Sequence, residues 1–416
     1  MPAAFLFVCY FILLLLALNR LVRRKYTGIN TRVTIFIFSF KILLGCLYGY
    51  IFLKYFGGDD TWMYHHDSIT EYQKLVHHPD IFFKDFLPAA SFAPAHNFWE
   101  GLGLYIQDLE YWLMIKLLAV FNIFSRGNYY INVLFFDFLT CWGPLLLYQL
   151  MYSYFPQKKG IFLIVLFFIP SITFWLSGIR AEGLIILFIA MALYYTQRWF
   201  QQRKISFFIL AMAGFWGILI FRTQFLIVFI PAFLSWTISI KKERKAIYYF
   251  GSVYILCSLI FFGSIFISPG KNFPAYTIKR QQEFFQLHGN TVFKLDSLQP
   301  SAYSFIKIFP QAFSNTLLRP YIWETKGILQ LAASLEIIAI WILVVLLFIY
   351  HEKNWRKIFS HPLLLLFLFY SISQILFIGY IVPFPGAIVR YKTIPELFLI
   401  LGLALAIDWP KYFRLK

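Results

Sequence analysis

The sequence predicts an all-α protein that crosses a membrane many times, and three observations support this class. Of its 416 residues, 60% are hydrophobic and 13% are charged, whereas an ordinary soluble domain has about 25% charged residues. Apolar runs recur along the chain with lengths near the ~20 residues that a bilayer requires. Lys and Arg concentrate in short stretches between these runs, as is typical of cytoplasmic loops. We therefore expect one transmembrane domain over residues 1–416.

The first two apolar runs determine the predicted orientation. The run from Ala3 to Leu18 is followed by a basic stretch, Arg20 to Lys25. A cleaved signal peptide carries its positive charge before the apolar run, so the opposite order predicts an uncleaved helix whose N-terminus lies outside. The second run, Val33 to Leu53, then leads the chain to the outer face.

The apolar run at about 105–127 is not counted as a membrane span. If this run crossed the membrane, Lys158 and Lys159 would lie outside, against the positive-inside rule. We therefore interpret it as an interfacial helix in the first long outer loop, with the Lys116 side chain snorkelling along the membrane surface.

Further spans complete a bundle of about eleven. They are predicted at roughly 130–154, 161–177, 181–196, 205–221, 223–240, 246–267, 328–350, 362–382 and 391–408. This arrangement leaves two long outer segments, about 54–129 and 268–327. It predicts a multi-pass protein of the inner (cytoplasmic) membrane, with positions 60, 180, 290 and 390 outside and positions 24, 243 and 355 inside.

Polar side chains concentrate in the outer stretch from Gly57 to Asp67. It contains the carboxylates Asp59, Asp60 and Asp67 and the imidazoles His65 and His66. If a helix begins after Gly58, two neighbouring stripes result, one with Asp60, Tyr64, Asp67 and Glu71 and one with Asp59, Met63 and His66. These stripes would face a cavity at the membrane surface; the alternative is a solvated connection between two membrane helices.

Ionisable residues also lie in two later outer turns and inside one span. Arg180 and Glu182 flank apolar helices, where such side chains are costly unless they are paired or face a wet cavity; a plain Arg–Glu pair is the alternative. Arg390, Tyr391 and Lys392 precede the last span and could bind phosphate or anchor the helix at the interface. Asp137 lies inside the third span, and we expect a cation to pair with it.

The order of these motifs resembles the GT-C superfamily of polytopic glycosyltransferases, in the branch of protein O-mannosyltransferases and the lipid A aminoarabinose transferase. The motifs are the Asp59-Asp60 pair followed by Tyr64, the turn from Pro170 to Gly183, and the Arg390-Tyr391-Lys392 turn. The acid pair is Asp-Asp where this family more often has Asp-Glu. The resemblance implies a GT-C-type helical bundle with interfacial helices in its first outer loop.

The resemblance also implies a function for the outer face. The protein would be an inverting glycosyltransferase of glycan biosynthesis in the cell envelope, moving a sugar from a polyprenyl-phosphate donor to a hydroxyl acceptor on a lipid, glycan or protein. Asp59 would be the catalytic base, with Asp60 orienting it. The donor phosphate would bind Arg390, Lys392 and Tyr391, with Arg222 and Arg319 in reserve. The remaining pocket residues would be Tyr64, His65, His66, Asp67, Arg180 and Glu182.

Other functions remain open at this point. The aspartates with His65, His66 and Asp67 could hold a divalent metal, although the adjacent histidines lack the spacing that places two imidazoles on one helix face; we expect no cofactor. A transporter or flippase of lipid-linked glycans would use Lys41, Asp137 and Glu336 inside spans. A glycan polymerase or ligase and an inactive scaffold are further alternatives. The formal charge of +18 is explained by membrane topology, so we expect membrane lipids and no nucleic acid as partners.

Overall fold

A computed structural model describes residues 2–26, 28–85, 98–240, 242, 246–267, 272–287, 291–325 and 327–409. Regular secondary structure in these residues is entirely helical, which confirms the predicted all-α class. The chain divides into two compact units, residues 1–226 and 227–416, and each unit is described by itself.

The first unit contains the helices that carry the Asp59-Asp60 pair and the Arg180 turn. Its helices are α1 Ala3–Lys25, α2 Thr31–Phe56, α3 Asp60–His77, α4 Pro79–Lys84, α5 Phe98–Ser125, α6 Tyr129–Thr140, α7 Trp142–Tyr154, α8 Lys159–Phe167, α9 Pro170–Ser177, α10 Ala181–Gln202 and α11 Ile205–Phe221. The boundary between the units falls within α12, Thr223–Ser239.

The second unit contains the Arg390 turn. Its helices are α13 Ala246–Ile267, α14 Phe273–Phe285, α15 Ala302–Leu317, α16 Ile328–Ile349, α17 Trp355–Phe359, α18 Pro362–Ile381, α19 Pro385–Tyr391 and α20 Thr393–Ala406. Helices α15 and α18 approach closely at Gly379, where an added Cβ atom would lie 2.2 Å from the carbonyl oxygen of Ala312.

Within the described ranges, seven helical stretches are long and apolar enough to cross a membrane. They are α1, α2, the consecutive helices α6 and α7, α10, α13, α16 and α18. An eighth results if the bent pair α8 and α9 is one span, and α11, α12 and α20 are shorter apolar helices. Each predicted span falls on one of these helices, while the number of crossings stays a prediction.

The predicted span at 161–177 is not one straight helix. It divides into α8 and α9, which are bent by 56° across Phe168 and Ile169. The cause is Pro170, which lacks a backbone N–H and disfavours helical geometry in the residue before it. The end of α9 leads directly into the turn that carries Arg180.

The end of α2 and the start of α3 follow the local signals in the sequence. Gly57 closes α2 in the left-handed region at φ 68°, and Gly58 follows at φ 95°; glycine adopts this backbone without strain. Asp59 then caps α3. The helix predicted after Gly58 is therefore confirmed.

Helix α3 packs along α5 through buried polar contacts. Lys116 on α5 lies 3.0 Å from the carboxylate of Glu71 on α3 and is only 5% exposed. Its ammonium also donates to the carbonyl oxygen of Phe82 at 2.6 Å. The prediction that Lys116 snorkels was therefore wrong: Glu71 offers a buried counter-charge, which favours an internal ion pair over an interfacial position.

Candidate functional site

The Asp59-Asp60 pair lies at the N-terminus of α3. Asp59 occupies the N-cap position of the helix, and its side chain accepts a hydrogen bond from the Asp60 backbone N–H at 2.6 Å. The two carboxylates are accessible to different degrees, because the Asp59 side chain is 24% exposed and that of Asp60 is 46% exposed. The pair therefore combines a fixed backbone with carboxylates that are partly exposed.

One buried guanidinium joins the two aspartates. Arg180 donates from Nη1 to Asp59 Oδ2 and from Nη2 to Asp60 Oδ2, and its residue is 2% exposed. Nη1 also donates to the hydroxyl of Tyr48 at 3.1 Å. Glu182 lies farther away, with its carboxylate oxygen 3.9 Å from Arg180 Nε. The contacts of Arg180 are therefore centred on the aspartates, which share its positive charge.

A buried ion pair fixes the turn that carries Arg180. Lys41 on α2 lies 3.0 Å from Asp137 on α6, so the expected cation partner of Asp137 is confirmed. The Lys41 ammonium also donates to the carbonyl oxygen of Leu176 at 2.8 Å and lies 3.4 Å from Ser177 Oγ. Both residues belong to the last turn of α9, where unsatisfied carbonyl groups attract a cation.

Close packing of α2 against the same turn adds a second constraint. An added Cβ atom at Gly178 would lie 2.8 Å from the ring of Tyr48. On α2, Gly45 likewise leaves room for Asp137 Oδ2 at 2.5 Å and for the Ser177 carbonyl oxygen at 2.9 Å. Lys41, Gly45 and Tyr48 share one face of α2, and this face positions Arg180.

The stripe of α3 that begins with Asp60 contacts α5 through Asp67 and Tyr64. Asp67 accepts a hydrogen bond from the hydroxyl of Tyr111 on α5, and the Tyr64 ring lies 5.8 Å from the Tyr111 ring. Met63, on the neighbouring stripe, is 46% exposed. The contacts with α5 therefore involve the first stripe, and a shared cavity of the two stripes stays a prediction.

The adjacent histidines of α3, His65 and His66, have different environments. His66 is exposed, whereas His65 is 4% exposed and packs against Trp62 and Tyr129. Burial, with a further contribution from His66, lowers the pKa of His65 to about 4, so its imidazole is neutral at neutral pH. Among the described residues, no group of three or more His, Cys, Asp or Glu side chains could hold a metal ion.

The ion pair between Glu110 and Arg222 was not predicted from the sequence. Glu110 on α5 lies 3.5 Å from Arg222, which follows α11. Burial raises the pKa of Glu110 to about 7, opposed by the positive charge of Arg222. Glu182, Arg180 and Asp60 also act electrostatically on Glu110, and Glu110 acts on Tyr64. Glu110 therefore belongs to the same cluster as the aspartates, with more acidic than basic groups.

The predicted phosphate-binding residues of the second unit have protein partners. Lys392 is 1% exposed and lies 3.5 Å from the carboxylate of Glu396. Arg319 donates from Nε to both carboxylate oxygens of Glu324 at 3.0 Å. Arg390 donates to the Tyr391 hydroxyl at 2.8 Å, and its guanidinium carbon lies 4.7 Å from the centre of that ring. A phosphate would have to compete with these contacts or add to them.

A cavity of about 440 Å³ lies within the second unit. Its lining is mainly aromatic and aliphatic, with Phe261, Phe305 and Tyr380 among the larger side chains. Ser258, Thr277 and Ser373 contribute the few small polar side chains. Such a surface suits an apolar ligand and offers no charged group for catalysis.

Comparisons with known protein families, with curated proteins and with solved structures found no match. The class is therefore defined by the fold: an all-helical chain whose long apolar helices indicate a multi-pass membrane protein. The resemblance to the GT-C superfamily rests on the sequence motifs and stays a prediction.

Proposed function

We propose that this protein is a membrane glycosyltransferase that moves a sugar from a polyprenyl-phosphate donor to a hydroxyl acceptor at the outer face of the membrane. The observation that carries the proposal is the arrangement of Asp59 and Asp60 on the buried Arg180 guanidinium. It presents two partly exposed carboxylates in a fixed geometry beside apolar helices, which suits a polar reaction on a lipid-linked substrate.

The chemistry requires a carboxylate near the acceptor hydroxyl and a cation near the leaving phosphate. The acceptor oxygen attacks the anomeric carbon from the side opposite the phosphate, so the configuration at that carbon inverts. The bond between this carbon and the phosphate oxygen breaks, and its electron pair leaves with the phosphate. A general base takes the hydroxyl proton, and positive charge stabilises the departing phosphate.

Within the acid pair, the resemblance assigns the base to Asp59 and the orienting role to Asp60. Asp59 is the more tightly held, since its side chain caps α3 and also accepts from Arg180. Asp60 is the more exposed of the two. For the phosphate, Arg222 belongs to the same compact unit as the aspartates, while Arg390, Lys392 and Arg319 stay candidates by resemblance.

Asparagine substitutions test the proposal. Asp59→Asn keeps the shape of the side chain but cannot accept a proton, so we expect transfer to be abolished while expression and membrane insertion stay nearly normal. Asp60→Asn should lose less activity. The measurement is turnover of a panel of polyprenyl-phosphate-linked hexoses, pentoses and aminosugars by the purified protein, followed as hydrolysis or transfer.

The outcomes separate the two roles. If Asp59→Asn turned over nearly as fast as the wild type and Asp60→Asn did not, the roles of the two aspartates would be exchanged. If both variants stayed fully active, the acid pair would have no part in the reaction and the proposal would fail.

A further inference from the structure

The cavity of the second unit borders a helix whose surface is almost entirely exposed. Most of its lining comes from α13, α14, α15 and α18. Helix α13 is long and apolar enough to cross a membrane, and almost none of its most apolar stretch is buried within the chain. Three lining residues are exposed, Ser258 on α13 and Ile306 and Phe309 on α15. The cavity is therefore accessible from the apolar surface that α13 presents.

Aromatic packing forms the inner wall of the cavity. The ring of the buried residue Phe305 lies 5.6 Å from the Phe261 ring and 5.5 Å from the Phe262 ring. The Tyr380 ring lies 5.3 Å from it on α18. Aromatic rings at such distances attract each other beyond the effect of burial, so the wall keeps its shape, as in most ligand pockets.

Three hydroxyl groups of the lining are engaged in contacts within the protein. The Tyr380 hydroxyl donates to the carbonyl oxygen of Phe305 at 2.8 Å, and the Thr277 hydroxyl donates to a main-chain carbonyl one turn earlier on α14 at 3.2 Å. The Ser373 hydroxyl donates to that of Tyr254 at 3.3 Å. A polar ligand would lose hydrogen bonds to water here with few replacements, which is costly, whereas a hydrocarbon has none to lose.

The volume of the cavity distinguishes between the hydrocarbon chains of a membrane. An apolar cavity of roughly 150 Å³ is large enough to bind benzene, and this one measures about 440 Å³. A methylene group takes up about as much space as a water molecule, roughly 30 Å³, so the cavity holds at most about 15 of them. One common acyl chain has this length, whereas a polyprenyl carrier has several times as many carbon atoms.

Basic side chains beside the cavity suit the phosphate of a phospholipid. Lys307 is exposed and directly follows the lining residue Ile306 on α15. Arg280 lies one turn after the lining residue Thr277 on α14 and donates to the Glu283 carboxylate at 2.8 Å. A lysine near a membrane surface attracts anionic lipids, and hydrogen bonds from cations to phosphate are strong ones. These surroundings favour an anionic head group.

We propose that this cavity binds one acyl chain of an anionic membrane phospholipid, with the phosphate near Lys307. The chain enters between α13 and α15, past Ser258 and Ile306, and its end lies against the Phe305 ring. It gives the side chains of the lining apolar contact partners, so binding should stabilise the fold. The site is independent of the proposed glycosyltransferase function, since it requires no catalysis.

Native mass spectrometry of the purified protein tests the site. The protein is delipidated in detergent and incubated with dipalmitoyl phosphatidylglycerol, and we expect one tightly bound phospholipid per chain. Ser258→Trp fills the cavity, so retention should fall by about tenfold or more, because the contacts of several methylene groups are lost. Ser252→Trp is the matched control: Ser252 is an exposed serine of the same helix outside the lining, and this variant should retain lipid as the wild type does.

A photoreactive acyl chain gives a second readout. Phosphatidylglycerol with a diazirine at the end of one palmitoyl chain should label Phe305, which is buried, and peptide mapping identifies the labelled residue. A lipid bound only at the outer surface would instead label exposed residues of α13 such as Ile255. Lys307→Gln should lower the retention of phosphatidylglycerol severalfold and leave that of palmitate unchanged, because palmitate has no phosphate.

Each outcome supports or overturns the inference. A wild-type protein that retains no phospholipid, equal retention by Ser258→Trp and Ser252→Trp, or labelling of exposed residues alone would overturn the site. Stronger retention of undecaprenyl phosphate than of phosphatidylglycerol would overturn the assignment to an acyl chain, and unchanged retention in Lys307→Gln would overturn the place of the phosphate.

A further variant decides if Ser258→Trp does not fold. Ile306→Asp places a charge among the exposed lining residues, where a hydrocarbon chain would have to desolvate it. Ile328→Asp is its control, because Ile328 is an exposed isoleucine of the same unit outside the lining. Loss of phospholipid in Ile306→Asp alone supports the inference, and equal retention in both variants overturns it.

Discussion

At the scale of the residue, the positive charge of Arg180 offsets the repulsion between the Asp59 and Asp60 carboxylates. Two adjacent carboxylates carry like charges and repel each other. A guanidinium offers several donors in a planar fork, so one side chain can serve both carboxylates at once. The charge of Arg180 is itself nearly fully buried, and breaking up such a group leaves uncompensated charge. The three side chains therefore act as a unit.

Replacing Arg180 by lysine should damage this unit without removing its charge. A single ammonium cannot hold both aspartates in the geometry of the fork, so we expect turnover to fall by about 10²-fold, as for a misplacement of about 1 Å. The measurement is donor turnover by purified Arg180→Lys. Arg203→Lys is the matched control, since Arg203 caps the opposite end of α10; equal loss in both variants would argue against a specific role for Arg180.

Much of the site's local structure could be predicted from the sequence, but the contacts between its side chains could not. The glycines before Asp59 and the spacing of the polar residues after it predict α3, because these signals act over a few residues. Arg180 lies 121 positions from Asp59, and nothing in the sequence pattern states which acid it contacts. Nothing in the pattern singles out Glu110, because it lies in the apolar run at about 105–127. Only packing brings such residues together.

At the scale of the element, α2 packs against the turn that carries Arg180 and holds it in place. Lys41 pairs with Asp137 and satisfies the end of α9, and Tyr48 packs against Gly178. A buried ion pair in this position costs desolvation that its Coulomb energy offsets only in part. It is therefore better explained by the geometry it imposes than by net stability.

Single and double substitutions of the Lys41–Asp137 pair should separate geometry from stability. Lys41→Met leaves a buried, unpaired carboxylate and should destabilise the protein by about 3–5 kcal/mol. The double variant Lys41→Met with Asp137→Leu should recover most of that stability but not the donor turnover, because the end of α9 stays unsatisfied. Thermal unfolding in detergent and turnover measure the two effects, with Lys54→Met on the exposed face of α2 as control. Full turnover in the double variant would contradict the positioning role.

At the scale of the whole molecule, the polar chemistry must lie on one side of the membrane for the proposed reaction to occur. The apolar helices make crossing possible, and the charges between them determine the direction. Asp60 and Arg180 contact each other, so these two positions share a side whatever the orientation. Position 390 belongs to the second unit, so the contact between Asp60 and Arg180 does not determine its side of the membrane. Positions 243 and 290 lie outside the described residues.

Cysteine labelling therefore tests the topology at four positions. The four native cysteines, Cys9, Cys46, Cys141 and Cys257, are first replaced, and single cysteines are introduced at positions 60, 390, 24 and 355. A membrane-impermeant thiol reagent should label positions 60 and 390 from outside and positions 24 and 355 from inside, because the basic stretches next to the latter two are held in the cytoplasm. Position 180 is too buried to serve as a label site. Labelling of 60 and 390 from opposite sides would remove Arg390, Tyr391 and Lys392 from donor binding at the face of Asp59. Arg222 would then be the phosphate candidate in the same compact unit as the acids.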